Sequence, residues 1–462
     1  MSQRPNVFSR ALRWLLELDR PVPPRTGAEL AAEVERNYRW NFGVNLLDGA
    51  FFWFGASFAS SSTIVPFFIS KLTSSPLPVG LAAVIAQAGW YLPQLFTAAP
   101  VQRLARMKAV VVNAGLFLER LPLFVLVLSA VVASKSLTWG LILFLVGYAW
   151  HSLGAGVIAT SWQDLIARCF PVDRRGRLFG ATQFLGAGTA ALGAGFSTQI
   201  LKGFPFPTNF VYCFAIAAAG ISVSWVFLAL TREPVQRADI PKQSQRQFWA
   251  SLPGIVRHDL NFRRFLVARL LLALGGMGWG FVTVAAVQRW HVPDGTVGLF
   301  TAALLIGQTI GNLGLGFLAD RLGHKLSLEI GTAAACLAYT LAWVAPSSEW
   351  QYLVFALLGI TSAAIFVSGI LMVMEFSTPE RRPTYVGLAN TGTGLVSMLA
   401  PMIGAWLAGI GYGWLFALTA GINLAALAAL HWGVREPRRT GGAPSPAVGA
   451  ENGAAENSPS SV

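Results

Sequence analysis

Charge is scarce in this sequence: 12% of its 462 residues are Asp, Glu, Lys or Arg, while 54% are apolar. Ordinary soluble domains run nearer about 25% charged and about 45–50% apolar. A soluble fold of this length could not hide so much apolar surface, which argues against a globular enzyme. Cysteine is scarce too. Cys169, Cys213 and Cys336 lie within or at the ends of apolar runs, and with no paired spacing they support neither a disulfide framework nor a zinc site. No Gly-x-Ser-x-Gly elbow, His-Glu-x-x-His pair or Walker lysine loop occurs. ATP hydrolysis is therefore not expected of this chain, and neither an enzyme, a cofactor nor a metal is expected. Residues 1–40 lack an apolar core long enough for a cleavable signal, and their basic residues recur throughout.

Long apolar runs are what the sequence has in quantity. A bilayer core of about 30 Å needs roughly twenty apolar residues per helix. Twelve such runs can be laid down, at 42–68, 77–101, 108–133, 137–168, 177–201, 207–231, 264–288, 295–319, 325–345, 350–377, 384–410 and 413–434. In lipid the backbone must satisfy its own hydrogen bonds, so these predict an all-α membrane protein with the bilayer as its first partner.

The net charge of +13 raises the question of nucleic acid. Placement decides against it. Only Lys71, Lys135, Lys202 and Arg289 fall on one side of the predicted membrane and only Arg120 and Arg269 fall within runs; the other bases occupy the two tails and the loops of the opposite side. That asymmetry puts both termini in the cytoplasm of a multi-pass cell-membrane protein. A nucleic-acid surface would need one basic patch, and none is visible.

The chain then divides into five pieces. Residues 1–41 form a cytoplasmic N-terminal segment in which Phe8, Leu12, Leu15 and Leu16 share one helical face, with Arg10 and Arg13 elsewhere on the turn. This suits a helix resting on the membrane surface, and targeting or partner binding is the other reading. Pro21-Val-Pro-Pro stops it, and Thr26-Gly-Ala-Glu29 reads as a capping box opening a short helix that ends near Arg39. Residues 42–232 and 264–435 carry the apolar runs. A linker, 233–263, holds an apolar stripe of Phe248, Trp249, Leu252 and Ile255. The tail, 436–462, is rich in Gly, Ala, Pro and Ser and is expected to be disordered.

Three motifs recur in the same order at nearly constant separation. Gln102-Arg103-Leu-Ala105-Arg106-Met-Lys108 answers Asp320-Arg321-Leu-Gly323-His324-Lys325. Pro171-Val-Asp-Arg174-Arg175 with Gly180 answers Pro379-Glu-Arg381-Arg382 with Gly387, and Arg232-Glu-Pro answers Arg435-Glu-Pro. The spacing predicts two parallel six-helix repeats, related by an axis along the membrane normal.

The fullest of these motifs, Gly316-Phe-Leu-Ala-Asp320-Arg321-Leu-Gly323-His324-Lys325, sits between two long apolar runs. It resembles the signature turn of the major facilitator superfamily, and with its upstream copy the resemblance extends over roughly residues 42–435. The resemblance implies that fold and alternating-access transport. It further implies a gate made of Gly316, Asp320, Arg321, Gly323 and Lys325, with Arg103 and Arg106 in the upstream copy. Asp164 and Glu375 stand where the family places the acids that pair with the turn arginines, giving Arg321 with Glu375 and Arg103 with Asp164. Gln102 and Ala105 depart from the pattern, so the upstream latch is expected to be the weaker.

Ionisable residues inside spans carry most weight, because a charge at the bilayer centre must face protein or water. Asp48, Glu119, Arg120 and His151 are the cavity or coupling candidates. Glu119 lies about eleven residues beyond Lys108, and at about 1.5 Å each that reaches the midplane. It is the leading candidate for ion coupling, either as a proton carrier or, if paired, as a strut, and Asp48 is the alternative proton carrier. Neighbours on a helix diverge by about 100°, so Glu119 and Arg120 are expected to have different partners, with Asp48 and Arg120 as one interhelical pair. His151, with no second ligand at metal spacing, reads as a hydrogen-bonded core residue. The glycines at 186–195 and 307–311 read as helix-packing positions. Trp53, Trp90, Trp150 and Trp279 lie deep enough either to pack or to line a cavity.

The function this supports is secondary active transport of a small solute by a monomer, with protons as a candidate coupling ion. A transport-dead receptor or scaffold on the same fold is the alternative. A membrane-embedded enzyme would need a buried acid, base and nucleophile set that the sequence does not offer.

Overall fold

The computed structural model describes residues 10, 13–101, 104–235, 256–376 and 382–437, with the side chains of several helical residues, Asp320 among them, outside the description. The apolar stripe of the linker, the tail beyond residue 437, Phe8, Leu12, Gln102, Arg103 and Arg381 therefore lie outside the described residues. Every described element is helical.

Helix α1 runs Gly27–Ser57 and opens on the capping box expected at Thr26 and Glu29. It does not stop near Arg39. No glycine or proline interrupts residues 28–42, and Asn37, Asn41 and Asn45 recur every four residues on one face, which they bury. Asn41 exchanges hydrogen bonds of 3.0 and 2.9 Å with the Arg232 backbone, and Asn45 donates to Thr231 Oγ1 at 3.1 Å. The pre-helix and the first span are thus one rod, tied to the end of the sixth run.

The run expected at 42–68 breaks instead. Residues 58–63 are rich in Ser and Thr, whose hydroxyls compete for backbone bonds, and α2 resumes at Ile64–Leu72. The run expected at 264–288 breaks in the same way, into α8 (Leu260–Leu274) and α9 (Phe281–Trp290). Glycines at 275, 276, 278 and 280 make that joint a poor helix former.

The remaining helices are α3 (Leu77–Val101), α4 (Ala109–Ala133), α5 (Leu137–Cys169), α6 (Val172–Gly203), α7 (Thr208–Ala229), α10 (Asp294–Leu322), α11 (His324–Val344), α12 (Trp350–Glu375), α13 (Arg382–Ile410) and α14 (Tyr412–Gly433). Among the described residues, eight helices are long and apolar enough to cross a membrane. Helix α1 packs on α6 and α7, α3 on α5, and α4 on α5 and α7. In the same order α8 packs on α13 and α14, α10 on α12, and α11 on α12 and α14. The two groups meet where α6 lies on α10 and α3 on α13.

The core is densest beside α2. Phe68 lies 5.2, 4.8 and 5.1 Å from the rings of Phe144, Phe210 and Phe214, all four essentially buried. Such ring clusters add specific edge and offset contacts to plain burial. A Cβ on Gly307 would collide with the Ala356 carbonyl and one on Gly193 would stand 3.0 Å from that of Phe54, the close approach expected of small residues between membrane helices.

Candidate functional site

A cavity of about 1580 Å³ lies between residues 27–235 and residues 256–437. One end is closed by the two broken helices meeting each other. Trp279 donates to Ser62 Oγ at 2.5 Å, Thr283 donates to the Ser62 carbonyl at 2.9 Å, and Thr63 and Thr301 share a 2.5 Å bond. Lys71 and Asp294 add an ion pair of 2.8 Å. Among the described residues, every hydrogen bond and ion pair between the two groups of helices lies at this end. From here the lining runs past Trp53, Trp90 and Tyr339 to Gln163, Phe179 and Gly387. Three of the four deep tryptophans, Trp53, Trp90 and Trp279, thus line the cavity; Trp150 is not among its lining residues.

Four charged side chains face this space: Asp48, Glu119, Arg120 and Arg269. Asp48, 8% exposed, accepts from Ser224 Oγ on α7 at 2.6 Å. In place of the expected Asp48 to Arg120 pair, Arg120 Nη1 donates to Glu119 Oε2. Sequence neighbours pair here because Leu116–Arg120 is wound as a π-helical turn, wider than the α-helix assumed above. The long guanidinium also folds back beside Gly115, where a Cβ would stand 3.4 Å from Nη1. His151 Nδ1 donates to the Glu119 carbonyl at 2.8 Å; a carbonyl only accepts, so the proton is on Nδ1. His151 is accordingly the hydrogen-bonded core residue expected.

Sequence reasoning counted Arg269 among the bases inside runs and gave it no role. On α8 it donates from Nε to Thr393 Oγ1 at 3.0 Å, from Nη1 to the Gly369 carbonyl, and from Nη2 to Asn390 Oδ1 at 3.4 Å. The signal that could have found it was already present: a lone base in an apolar run, with no acid at helical spacing.

The charged turns lie away from the closed end. Gly323 adopts φ +102°, which favours glycine, and a Cβ there would collide with the Glu436 carboxylate. That carboxylate accepts from the Lys325 backbone N–H at 2.9 Å. Upstream, Glu233 accepts from the N–H groups of Met107 and Lys108 at 2.7 and 3.0 Å. Each Arg-Glu-Pro motif therefore supplies a carboxylate to the positive N-terminal end of the helix that follows a charged turn. Burial raises the pKa of Glu233, against the lowering effect of those two N–H groups and of Arg168.

Of the two expected arginine–acid pairs, Arg321 with Glu375 is the one that the described residues can test. Arg321 lies 4.1 Å over the ring of Phe317, Glu375 sits 3.5 Å from His324 Nε2, and among the described residues no ion pair joins Arg321 to Glu375. A cation over an aromatic face keeps its charge wet while covering apolar surface. Asp164 pairs with Arg168 on its own helix at 2.8 Å, and its expected partner Arg103 lies outside the described residues. Arg106 holds the N-terminal segment, donating to the Arg20 and Pro21 carbonyls at 3.0 and 2.8 Å. Lys325 Nζ donates to the His431 carbonyl at 2.9 Å. Gly316 meets no neighbour that would exclude a side chain, so close packing does not explain it.

A family model described as Major Facilitator Superfamily matches residues 270–458. Over that stretch the chain resembles the major facilitator superfamily. It is similar to the gallate transporter of Pseudomonas putida, with 30% identity over 163 residues, 35% of this chain and 36% of that protein. The 4-hydroxybenzoate transporter PcaK of the same organism is 32% identical over 182 residues, 37% and 38% of the two chains. Solute carrier family 22 member 2 of Oryctolagus cuniculus is 33% identical over 114 residues, 25% of this chain and 19% of its own. These matches span well under half of each relative's length. Among solved structures, the D-xylose-proton symporter aligns with a TM-score of 0.63 at 13% identity, covering 86% of this chain and 98% of that one. Nucleoside transporter NupG aligns with a TM-score of 0.60 at 14% identity, covering 84% and 98%. At such identity these structures establish the fold.

Proposed function

We propose that this protein is a secondary transporter that carries a small solute by alternating access. The observation that carries the reading is a cavity between two groups of helices whose direct bonds gather at one end. A space latched at one end is one of the two states such a cycle requires. The matched packing of α1 to α7 and α8 to α14 supports twelve spans in two six-helix halves. We read the segments as in the sequence: a first half to residue 232, a linker to 263 and a second half to 435. The bias of basic residues supports cytoplasmic tails and linker, which makes the latched end extracellular and this state inward-facing. The charged turns, with Asp320, Arg321 and their partners, then form the cytoplasmic gate when the cavity faces outward.

Asp48 is the better candidate for a proton site. Glu119 is held by Arg120, the strut arrangement, whereas Asp48 faces the cavity with one neutral hydroxyl as its hydrogen-bond partner. Flux into proteoliposomes, with gallate and 4-hydroxybenzoate among the solutes tried, tests the proposal. We expect accumulation driven by a pH gradient in wild type and Glu119→Gln, and its loss in Asp48→Asn. Saturable binding without flux of any solute would favour the receptor or scaffold reading.

A further inference from the structure

We infer that the cavity takes a solute bearing a carboxylate, and that Arg269 is the group that binds it. The inference rests on the transporter reading and adds a substrate class to it. A guanidinium has five N–H donors in a rigid fork. At Arg269 three of them go to Thr393 Oγ1, the Gly369 carbonyl and, at a long 3.4 Å, Asn390 Oδ1. Two N–H groups remain. All three acceptors are neutral, and among the described residues no carboxylate lies at ion-pair distance. Arg120, the other arginine facing the cavity, is neutralised by Glu119.

An arginine kept inside a membrane bundle without a counter-ion is costly, and residues of this kind mark solute pathways. Its unused pair of donors matches the two oxygens of a carboxylate. The count of charges limits the ligand further. No lysine lines the cavity, and its two carboxylates both belong to residues 27–235. On its own side of the cavity Arg269 is the one charge, and when the Asp48 carboxyl opposite is protonated that single cation fits a monoanion; a phosphate dianion would want a second. Neutral polar groups at Asn390, Thr391 and Thr393 border the site, while Trp53, Trp90 and Trp279 supply apolar faces elsewhere in the lining. The body of the solute is therefore apolar or aromatic.

Thermal unfolding of the purified full-length protein in detergent is the test, with benzoate, its neutral isostere benzamide, phenyl phosphate and benzylamine as probes. Native-state binding raises the Tm. We expect benzoate alone to do so, with its apparent Kd at least about tenfold weaker in Arg269→Lys and no shift in Arg269→Gln. Equal stabilisation by benzamide, no stabilisation by benzoate, or a benzoate shift that survives in Arg269→Gln would overturn the proposal. Should Arg269→Gln not fold, the benzoate and benzamide arms on wild type still decide. Flux separates the two readings: Arg269-dependent binding of benzoate without transport removes the transporter and keeps the carboxylate site. Transport of a neutral or cationic solute with no carboxylate binding does the reverse.

Discussion

On one side of the cavity Glu119 and Arg120 neutralise each other inside a single helical turn, and Asp48 rests on a serine. On the other side Arg269 is held by a threonine, a backbone carbonyl and an asparagine, with no acid at ion-pair distance among the described residues. Both arginines lie in spans of the same fold, Arg120 buried and Arg269 half-buried. One completes a structure, and the other has donors left for something that comes and goes. The lesson is that depth in the membrane does not by itself mark a working residue. What marks it is whether its charge is already answered by the protein.

That contrast can be broken most sharply at Arg120. Removing one member of a buried ion pair strands the other, which typically costs about 3–5 kcal/mol. Arg120→Met should therefore lower unfolding stability by about that amount, and the double variant Glu119→Gln with Arg120→Met should recover most of it. Arg269→Met should behave in the opposite way, staying within about 1 kcal/mol of wild type when no ligand is present, because its partners are neutral and find water or each other. Equal losses at the two arginines, measured by denaturant or heat, would erase the distinction.

A smaller effect is expected at the helix ends, where both halves use the same carboxylate device. Glu233→Gln should cost less than about 1 kcal/mol, because the weaker acceptor left at the Met107 and Lys108 N–H groups is set against relief of a buried charge. Its pH dependence has a definite sign. Because burial places the folded pKa of Glu233 above the ordinary 4.5, its titration favours the folded state at low pH and that contribution is lost as pH rises through the raised value. The stability difference between wild type and Glu233→Gln should therefore shrink as pH climbs from about 4.5. A difference that grows over this interval would mean the carboxylate is stabilised in the folded state.

The smallest effect belongs to the latched end. Lys71 and Asp294 are about one-third exposed, at 31% and 27% of their side chains, so their pair is worth about 0.2–1 kcal/mol. Asp294→Asn should bias the population modestly away from the latched state. A single cysteine at Ser61, which lines the cavity, should then react faster with an impermeant thiol reagent applied from outside. An unchanged rate would place the closure wholly on the Ser62, Trp279 and Thr283 contacts.

Much of the architecture was legible in the sequence. Apolar runs, the bias of basic residues and the three repeated motifs follow from local composition, and the bilayer imposes the same length and side rules on every chain. Glycines read as packing positions also behaved so, at Gly193 and Gly307. Other features were hidden because they depend on which atoms meet. The joints at 58–63 and 275–280 lie in stretches apolar enough to pass as continuous spans, and became visible only where Ser62 meets Trp279 and Thr283. The pairing of Glu119 with Arg120 falls in a π-helical turn, which the ordinary helical angle does not anticipate. Arg-Glu-Pro could be counted as a repeat, but its role as a helix cap emerged when residues more than a hundred positions apart came together.

The sequence by itself determined that this chain has many membrane-length apolar runs and a turn resembling that of a transporter family, because hydrophobic length and charge placement are local and additive. The tertiary structure alone decided which charges are answered and which are open, since a counter-ion is defined by distance in space. That is why Arg120 and Arg269, alike as bases inside apolar runs, come out as a strut and a candidate binding group.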